Sequence, residues 1–378
     1  MQLTQRIPVA WFMLVHRKGR FALSMLGIAF SVVIMFMEIG FFNGINDSQA
    51  RLATLLDADL VLMNKGRYNL LEADRLNRIR MQQALALEGV AEATPLYEGD
   101  QLVINPETGM AQAIAVIAFP PESRPLKLPN LAEFSAQLRI KGNILYDRMS
   151  RDLYGNIRPG SALTVGGAPA RVVGLVEMGP TIRSDGTILM GDQTWNDSKA
   201  SADLVSMGLL KLQPGADLET VRKNIRARLG DEVLVMTPEE IRQREVDFTA
   251  TATPAGGVFA IGLVVGFLIG LIICYQILFN EISDNMPQYA TVKAVGFSKA
   301  YLVSLVMQQA VLLAVFGYLP GLAGGLMLYH FIESSTSILM FISVPRGLLI
   351  FILTLIMCAV SGLLAVRKVM RADPAEVF

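Results

Sequence analysis

Long apolar runs alternate with polar stretches along this chain and predict a membrane protein with one large water-exposed segment. Each apolar run is close to the roughly 20 residues that a helix needs to cross a bilayer. A backbone surrounded by lipid must satisfy its hydrogen bonds within the segment, so each run is expected to be helical. The sequence therefore predicts four transmembrane helices, at residues 21–42, 255–279, 301–330 and 347–366.

Polar segments separate the predicted helices and differ greatly in length. Residues 43–254 form a segment long enough for one large domain or two small ones. The remaining segments are the N-terminal residues 1–20, the loops 280–300 and 331–346, and the tail 367–378.

Basic residues that flank the first and last predicted helices indicate the orientation of the chain. Lys and Arg concentrate on the cytoplasmic side of membrane proteins. The residues concerned are Arg6, Arg17, Lys18, Arg20, Arg367, Lys368 and Arg371. We therefore expect both termini in the cytoplasm, with the loop 280–300 on the same side and residues 43–254 on the outside.

The long external segment has a mixed α and β pattern between two helical stalks. The stalks are expected at residues 43–56 and 238–248, and Pro254 with two glycines is expected to interrupt the second over residues 249–257. Amphipathic helices are predicted at residues 72–87 and 218–229. Strands punctuated by glycine favour a small barrel or sandwich, and they are predicted at residues 59–63, 101–104, 112–118, 161–165, 171–176, 187–190 and 204–212.

The predicted fold class is therefore an integral membrane α-helical protein with four transmembrane helices. A large mixed α+β extracytoplasmic domain is inserted between helices 1 and 2.

Sequence motifs for catalysis or nucleotide binding are absent. No Gly-Lys pair occurs, which excludes a Walker A loop, and neither a G-x-S-x-G elbow nor an H-E-x-x-H motif is present. Cys274 and Cys358 lie inside predicted helices and are interpreted as small apolar packing residues. The zero net charge gives no support for a nucleic-acid partner. We predict no catalytic residue, metal site or cofactor on this chain.

Energy for any transport would then come from another subunit or from a gradient. Gradient-driven carriers place ionisable groups or unwound helices near the middle of the membrane. The centres of the predicted helices are almost free of charge, so a separate energy-supplying subunit is favoured.

Glu38 is the one acidic residue inside a predicted helix. An ionisable group in a membrane segment is a functional candidate, and the functional interpretation here is a hydrogen bond across a subunit contact. Because Glu38 lies within about a turn of the outer end of its helix, an interface carboxylate is the alternative.

The polar island at residues 280–302 lies between two charge-free runs and has the signals of a short helix. Pro287 suits a first helical turn, Gly296 suits a left-handed C-cap, and Ser298 suits the N-cap of the following span. The residues alone are compatible with either a connecting loop or a docking element.

Three stretches carry a resemblance to a known family. They are VAWFMLVHRKGRFALSMLGIAF near the N-terminus, YATVKAVGF in the polar island and ADPAEVF at the C-terminus. Together with the order of one span, a large external domain and three further spans, the chain resembles the FtsX and MacB-type permeases of ABC systems. Within this group it is most similar to the DevC-like permeases.

The resemblance implies a mechanotransmission subunit without a fused ATPase, acting as a homodimer in the bacterial inner membrane. A separate cytoplasmic ABC ATPase would hold ATP and Mg. The external domain would engage a periplasmic adaptor (membrane fusion protein) and a TolC-like outer-membrane channel, to export a lipid, glycolipid or other envelope substrate. The alternatives are an FtsX-like signalling anchor that controls a cell-wall hydrolase, and a lipoprotein-release permease.

The resemblance also places an ATPase-coupling helix in the polar island. Tyr289, Val292 and Val295 would supply apolar contacts to the ATPase and Lys293 a charged contact. Relatives often carry an acidic residue where Gln288 stands. The proposed coupling residues are Met286, Pro287, Gln288, Tyr289, Ala290, Thr291, Val292, Lys293, Ala294, Val295 and Gly296.

Overall fold

A computed structural model describes residues 9–16, 18–67, 69–70, 74–179, 184–198, 203–252, 254–287, 298–336 and 340–371. The chain forms two compact units. The helical unit comprises Met1–Asn43, Ala255–Ile332 and Met340–Phe378, and the α/β unit comprises Gly44–Pro254 and Glu333–Leu339.

The α-helices vary from single turns to spans of more than 30 residues. They are α1 (Val9–Val15), α2 (Lys18–Gln49), α3 (Arg51–Leu55), α4 (Arg78–Leu85), α5 (Ser135–Leu138), α6 (Asp192–Ser198), α7 (Leu218–Leu229), α8 (Pro238–Ala252), α9 (Pro254–Asp284), α10 (Lys299–Thr336) and α11 (Val344–Arg371). Single 3-10 turns occur at Leu131–Phe134 and Asp152–Tyr154.

Within the described residues, four helices are long and apolar enough to cross a membrane. They are Lys18–Gln49, Gly256–Asp284, Ala300–Glu333 and Val344–Arg367. The mixed α/β unit is inserted between the first and second of these helices. This confirms the predicted fold class.

The expected break does not extend over residues 249–257, because residues 249–252 and 254–257 are helical, while Thr253 lies outside the described residues. Helix α8 continues to Ala252 and α9 begins at Pro254, with residues on both sides in helical conformation. The proline occupies the first position of α9, where a missing N–H is tolerated because it would have no partner within the helix.

Two glycine stripes set the packing of the helical unit around α2. On α9, Gly262, Gly266 and Gly270 lie against α2, and the α2 residues they meet, in that order, are Glu38, Ile34 and Ser31. The residue numbers of the α2 contacts decrease as those of the α9 glycines increase, so the two helices are antiparallel. Small residues let helices approach closely in a membrane, where van der Waals packing drives association.

Helix α10 packs on another side of α2 and runs parallel to it. Gly317, Gly321 and Gly325 lie against α2, and the residues they meet, in that order, are Ile28, Val32 and Phe36. Helix α11 completes the bundle. The Ser361 hydroxyl donates to the Leu271 carbonyl of α9 over 2.8 Å, and the Tyr318 hydroxyl of α10 donates to the Gly347 carbonyl over 2.9 Å.

The α/β unit is built on a sheet whose order is β11-β1-β10-β3-β4-β8-β5-β7-β6. Strand β3 also pairs with β6, so the last six strands of this order close into a barrel. The sequence predicted either a small barrel or a sandwich, and the structure confirms the barrel. The strands are β1 (Leu60–Asn64), β2 (Leu76–Asn77), β3 (Val90–Ile104), β4 (Ala111–Phe119), β5 (Asn143–Asp147), β6 (Ala162–Val165), β7 (Ala168–Val176), β8 (Thr187–Gly191), β9 (Leu204–Val205), β10 (Met207–Leu212) and β11 (Val233–Met236).

Strand β3 belongs to two parts of the sheet. Residues 90–96 pair with β10, and residues 97–104 pair with β4. Pro95 lies where β3 has β10 as its single strand partner, and proline is tolerated at such edge positions of a sheet. The predicted strand 101–104 is therefore the end of a 15-residue strand. Its first part contains Pro95, two alanines and Glu92, which strand propensity does not favour.

Two other predictions are corrected by the structure, and two strands were missed. The helix expected at residues 72–87 is confined, among the described residues, to α4, because Asn77 is extended and its side chain accepts from Ile79 N over 3.0 Å as an N-cap. The strand expected at residues 204–212 is divided at Ser206, whose hydroxyl accepts from Glu98 N over 2.8 Å. Strands β5 and β11 were missed, and the short strand β2 lies inside the predicted helix.

Apolar clusters cover both faces of the large sheet. The larger cluster includes Tyr97, Trp195 and Ile225, and the other includes Leu56, Phe119 and Leu209, all nearly or fully buried. The α/β unit thus has a core of its own.

Candidate functional site

Most of the predicted coupling helix lies outside the described residues. Met286 is half-buried and Pro287 is exposed just after the end of α9, whereas Gln288 through Gly296 fall in the gap before α10. On the far side of the gap, the Ser298 hydroxyl accepts from Tyr301 N over 3.3 Å. Ser298 therefore caps α10 as predicted, and the coupling role of Met286–Gly296 remains a prediction.

Glu38 contacts another helix of the same chain. Its carboxyl group lies over Gly262 of α9, where an added Cβ would come 2.3 Å from Glu38 Cδ. The side chain is half-buried. The structure thus gives Glu38 a packing contact within one chain, and a contact with a second subunit remains a prediction.

A group of buried and half-buried polar side chains joins the stalk helices to the sheet of the α/β unit. We call Gln49, Arg67, Glu98, Glu245 and Thr249 the stalk cluster. The Thr249 hydroxyl of α8 donates to Gln49 Oε1 at the end of α2. This bond connects two helices that are 200 residues apart in the sequence.

Glu245 attaches α8 to the segment that follows β1. Its side chain is 2% exposed, and its Oε1 accepts from Leu70 N over 2.8 Å. Burial raises the pKa of Glu245 from 4.5 to about 7, while the Leu70 N–H and the nearby Arg67 and Arg244 act in the opposite direction. The carboxyl group therefore changes its protonation near neutral pH.

Arg67 is the buried cation of the stalk cluster, 2% exposed. Its guanidinium donates to the carbonyls of Ser206 over 2.9 Å and Leu70 over 2.8 Å, and to Glu98 Oε2 over 2.5 Å. Because Arg presents five donors in a planar fork, one side chain can bind the β1 loop, β3 and the β9–β10 junction together.

A small cavity of about 70 Å³ lies beside the stalk cluster. Its wall includes Gln49 and Arg51 at the end of α2 and the start of α3, Leu70, and Glu98 and Asp100 on β3. A space of this size holds a few water molecules at most, so it is too small for a lipid-sized substrate.

Asp147 is a second buried carboxylate of the α/β unit. It accepts from the backbone N–H groups of Met178 over 2.9 Å, Gly179 over 2.8 Å and Met149 over 3.1 Å. Burial raises the pKa of Asp147, and these three hydrogen bonds oppose the increase. They hold the end of β5 against the segment that follows β7, which is a structural role.

In the described part of the chain, no group of three or more His, Cys, Asp or Glu side chains is arranged to hold a metal ion. The stalk cluster lacks a Ser, Cys or Lys nucleophile paired with a base, and its groups hold backbone segments together. Its arrangement suits mechanical attachment better than bond chemistry.

Sequence reasoning missed the stalk cluster because its partners are far apart along the chain. Glu245 and Leu70 are 175 residues apart, and Arg67 and Ser206 are 139 residues apart. The one local signal of the stalk cluster was Glu245, an acidic residue on the same side of the stalk helix α8 as the apolar Ile241.

The fold defines a class of protein: a multi-pass membrane protein with an α/β domain inserted between its first and second membrane helices. Two family models match this chain. The FtsX-like permease C-terminal model matches residues 259–374, and the MacB-like periplasmic core domain model matches residues 21–228, more than half of the sequence. The chain therefore belongs to the MacB/FtsX-type permeases of ABC transporters.

Permeases of this family are components of ABC transporters, are not themselves catalytic, and work with an ATPase partner. Membership together with four membrane-spanning helices makes this chain a multi-pass inner-membrane protein whose α/β unit is periplasmic.

Several solved structures are similar to about half of this chain. The periplasmic region of MacB from Actinobacillus actinomycetemcomitans is 10% identical, with 50% of this chain and 92% of that chain covered and a TM-score of 0.37. The extracellular domain of the ABC-type transporter YknZ from Gram-positive bacteria is 13% identical, covering 47% and 98%, with a TM-score of 0.34. A permease domain from Porphyromonas gingivalis is 15% identical, covering 47% and 88%, with a TM-score of 0.31. No curated protein matches the chain.

Proposed function

We propose that this chain is the mechanotransmission permease of a tripartite exporter and acts as a homodimer. A separate cytoplasmic ATPase, carrying ATP and Mg, would dock on Met286–Gly296. Its movement would pass to the periplasmic domain, which would engage an adaptor and a TolC-like channel. The cargo would be a lipid, glycolipid or other envelope substrate.

The observation that carries the proposal is the length and continuity of α2. This helix runs without a break over 32 residues, Lys18–Gln49, or about 48 Å at 1.5 Å per residue. The hydrocarbon core of a bilayer is about 30 Å thick. One helix thus contributes residues to both the membrane-spanning and the water-exposed parts, which suits the passage of movement along it.

Contacts at both ends of α2 support this role. In the helical unit, α9 and α10 flank the proposed docking segment and both pack on α2 through glycines. In the α/β unit, the Gln49–Thr249 hydrogen bond joins the end of α2 to α8, and Glu245 joins α8 to the segment after β1. Movement of the docking segment would therefore reach α2 through close contacts, and the end of α2 would transfer it to the sheet.

ATP hydrolysis by the partner ATPase, with and without the adaptor, tests the docking role. Tyr289→Asp adds a charge to the apolar contact surface, and Gly296→Pro removes the glycine at the predicted turn. We expect both variants to insert normally and to lose adaptor-stimulated hydrolysis. Ser298→Asp is the matched control, because it adds a charge beside the same segment while keeping an N-cap residue. Full stimulation in both variants would contradict the proposal.

Copurification from native membranes tests the rest of the assembly. Capture of an adaptor and an outer-membrane channel would support export. Capture of a cell-wall hydrolase without an adaptor, or retention of lipoproteins in the inner membrane after depletion of this chain, would contradict export and indicate the signalling or lipoprotein-release alternative.

A further inference from the structure

A groove of about 600 Å³ lies between α2 and α9 at the end of the helical unit that carries the start of α2 and the end of α9. Its apolar walls include Leu23 and Leu26 of α2 and Ile273 and Ile277 of α9. Leu23 is 70% exposed and Leu26 is 63% exposed. None of the described lining residues belongs to the stalk cluster.

One end of the groove carries two opposite charges. Arg20 and Asp284 line it and form an ion pair with each other, and their side chains remain 44% and 35% exposed. The guanidinium uses part of its five donors on Asp284, and its exposed surface leaves room for a further acceptor. The groove therefore offers an accessible cation and an accessible anion side by side.

The ion pair marks the level of the lipid headgroups. Arg20 immediately precedes the uncharged start of the first apolar run, and Asp284 lies a few residues beyond the end of the second. Charged residues at the ends of membrane helices lie at the membrane–water interface. The apolar part of the groove therefore starts at the interface and enters the bilayer.

The length of the groove matches one leaflet. Ile273 and Asp284 are eleven positions apart on α9, which is about 16 Å along a helix. Half of a hydrocarbon core of about 30 Å is nearly the same distance. An acyl chain that lies in the groove with its headgroup at the ion pair would span its own leaflet and end near the middle of the membrane.

We propose that this groove binds one zwitterionic phospholipid with a primary ammonium headgroup. The Arg20 guanidinium donates to the lipid phosphate, the Asp284 carboxylate accepts from the ammonium group, and one acyl chain lies along Leu23, Leu26, Ile273 and Ile277. Arg binds phosphate through strong charge-assisted hydrogen bonds, and the carboxylate disfavours a purely anionic headgroup.

A lipid suits the groove better than a second copy of the chain does. The apolar face of another helix would take the Arg20–Asp284 pair out of water without supplying partners, and the loss of hydration of an ion pair is costly. A zwitterionic headgroup supplies an opposite charge to each member of the pair. The bilayer also delivers such a headgroup at the correct depth.

Native mass spectrometry of the full chain in mild detergent tests the proposal. After delipidation, dioleoyl phosphatidylethanolamine or dioleoyl phosphatidylglycerol is added back. We expect one retained phosphatidylethanolamine per chain and weaker retention of phosphatidylglycerol. Leu23→Trp fills the groove and should lower phosphatidylethanolamine occupancy about tenfold. Phe30→Trp, at another exposed apolar position of α2 that does not line the groove, is the matched control and should retain the lipid.

Asp284→Asn separates headgroup recognition from filling of the groove. The variant keeps the apolar walls, so we expect it to retain both lipids with little preference between them. Equal occupancy in Leu23→Trp and the wild type would overturn the site. A wild-type preference for phosphatidylglycerol would overturn the headgroup assignment. Efficient disulfide-linked dimers of Leu26→Cys in native membranes, with no retained lipid, would show that a second copy occupies the groove. None of these results depends on ATPase coupling.

Discussion

One buried residue of the stalk cluster, Glu245, both attaches α8 to the segment after β1 and titrates near neutral pH. Arg67, Glu98 and Glu245 lie close together at 2%, 12% and 2% exposure. With one cation beside two carboxyl groups, full ionisation would leave a net negative charge in a poorly solvated place. Burial, together with the negative charge of Glu98, raises the pKa of Glu245. The hydrogen bond from Leu70 N to Glu245 attaches α8 to the segment after β1.

Glu245→Gln should reduce the pH dependence of stability. In the wild type the pKa rises from 4.5 to about 7 on folding, so the folded state takes up a proton in this interval. The stabilisation is complete below pH 4.5 and is lost as the pH rises through about 7. Between about pH 5 and about pH 8 the wild type should lose about 2–3 kcal/mol of unfolding free energy that the variant retains.

Thermal unfolding of the full chain in detergent at both pH values measures this difference. Asp247→Asn, which removes an exposed carboxylate from the same helix, is the control and should keep the pH dependence of the wild type. A melting temperature of Glu245→Gln that shifts with pH as much as that of the wild type would show that Glu245 does not titrate near neutrality.

At the scale of elements, glycine spacing decides which membrane helices touch. Gly262, Gly266 and Gly270 on α9 are four residues apart, as are Gly317, Gly321 and Gly325 on α10, so each set lies on one face of its helix. On α10, Gly321 meets Val32 and Gly325 meets Phe36. The stripe on α9 was missed because its glycines are scattered among larger residues.

Gly321→Ala should weaken the contact between α10 and α2. The new methyl group would come 2.6 Å from Val32 Cβ and 3.1 Å from the Ala29 carbonyl oxygen, so one helix has to move. Overpacking of this kind costs about 1–3 kcal/mol. Gly257→Ala is the matched control, because no atom lies within 4 Å of the added group and alanine favours a helix by about 1 kcal/mol. Melting in detergent should separate the two variants, and equal melting temperatures would contradict the packing described for α2.

At the scale of the whole molecule, the chain consists of two units that are stabilised in different ways. The helical unit relies on close helix contacts in lipid, whereas the α/β unit has a sheet with an apolar cluster on each face. The two ends of Gly44–Pro254 meet through the Thr249–Gln49 hydrogen bond. Joined ends and a separate core are properties of a domain that can fold alone.

The fragment Gly44–Pro254 should therefore be soluble and unfold cooperatively. A fragment that stops at Leu229 lacks β11, which pairs with β1, and α8, which carries the buried Ile241 and Glu245; it should not fold. Near-ultraviolet circular dichroism and thermal melting test both fragments. A native-like transition in the shorter fragment would show that the stalk cluster is dispensable for the fold.

The sequence by itself determined the number of membrane-spanning helices and the mixed α and β character of the inserted domain. Lipid forces charge-free runs of sufficient length into helices, and alternation with glycine punctuation favours short strands, so both features depend on local composition. Helix α7 was predicted over residues 218–229 from its amphipathic pattern, and the structure confirms these bounds, with Asp217 as the N-cap and Gly230 at the C-terminal end. These signals need no partner from elsewhere in the chain.

The tertiary structure alone decided the features that depend on distant partners. The first half of β3 is a strand because β10 pairs with it, although its residues do not favour one. The pKa of Glu245 is raised because the folded chain buries it beside Leu70, Arg67 and Glu98, and the charged end of the groove forms because α2 and α9 bring Arg20 and Asp284 together. The sequence pattern predicts which face of a helix or strand is apolar. The packing of the whole chain determines which side chains meet on that face.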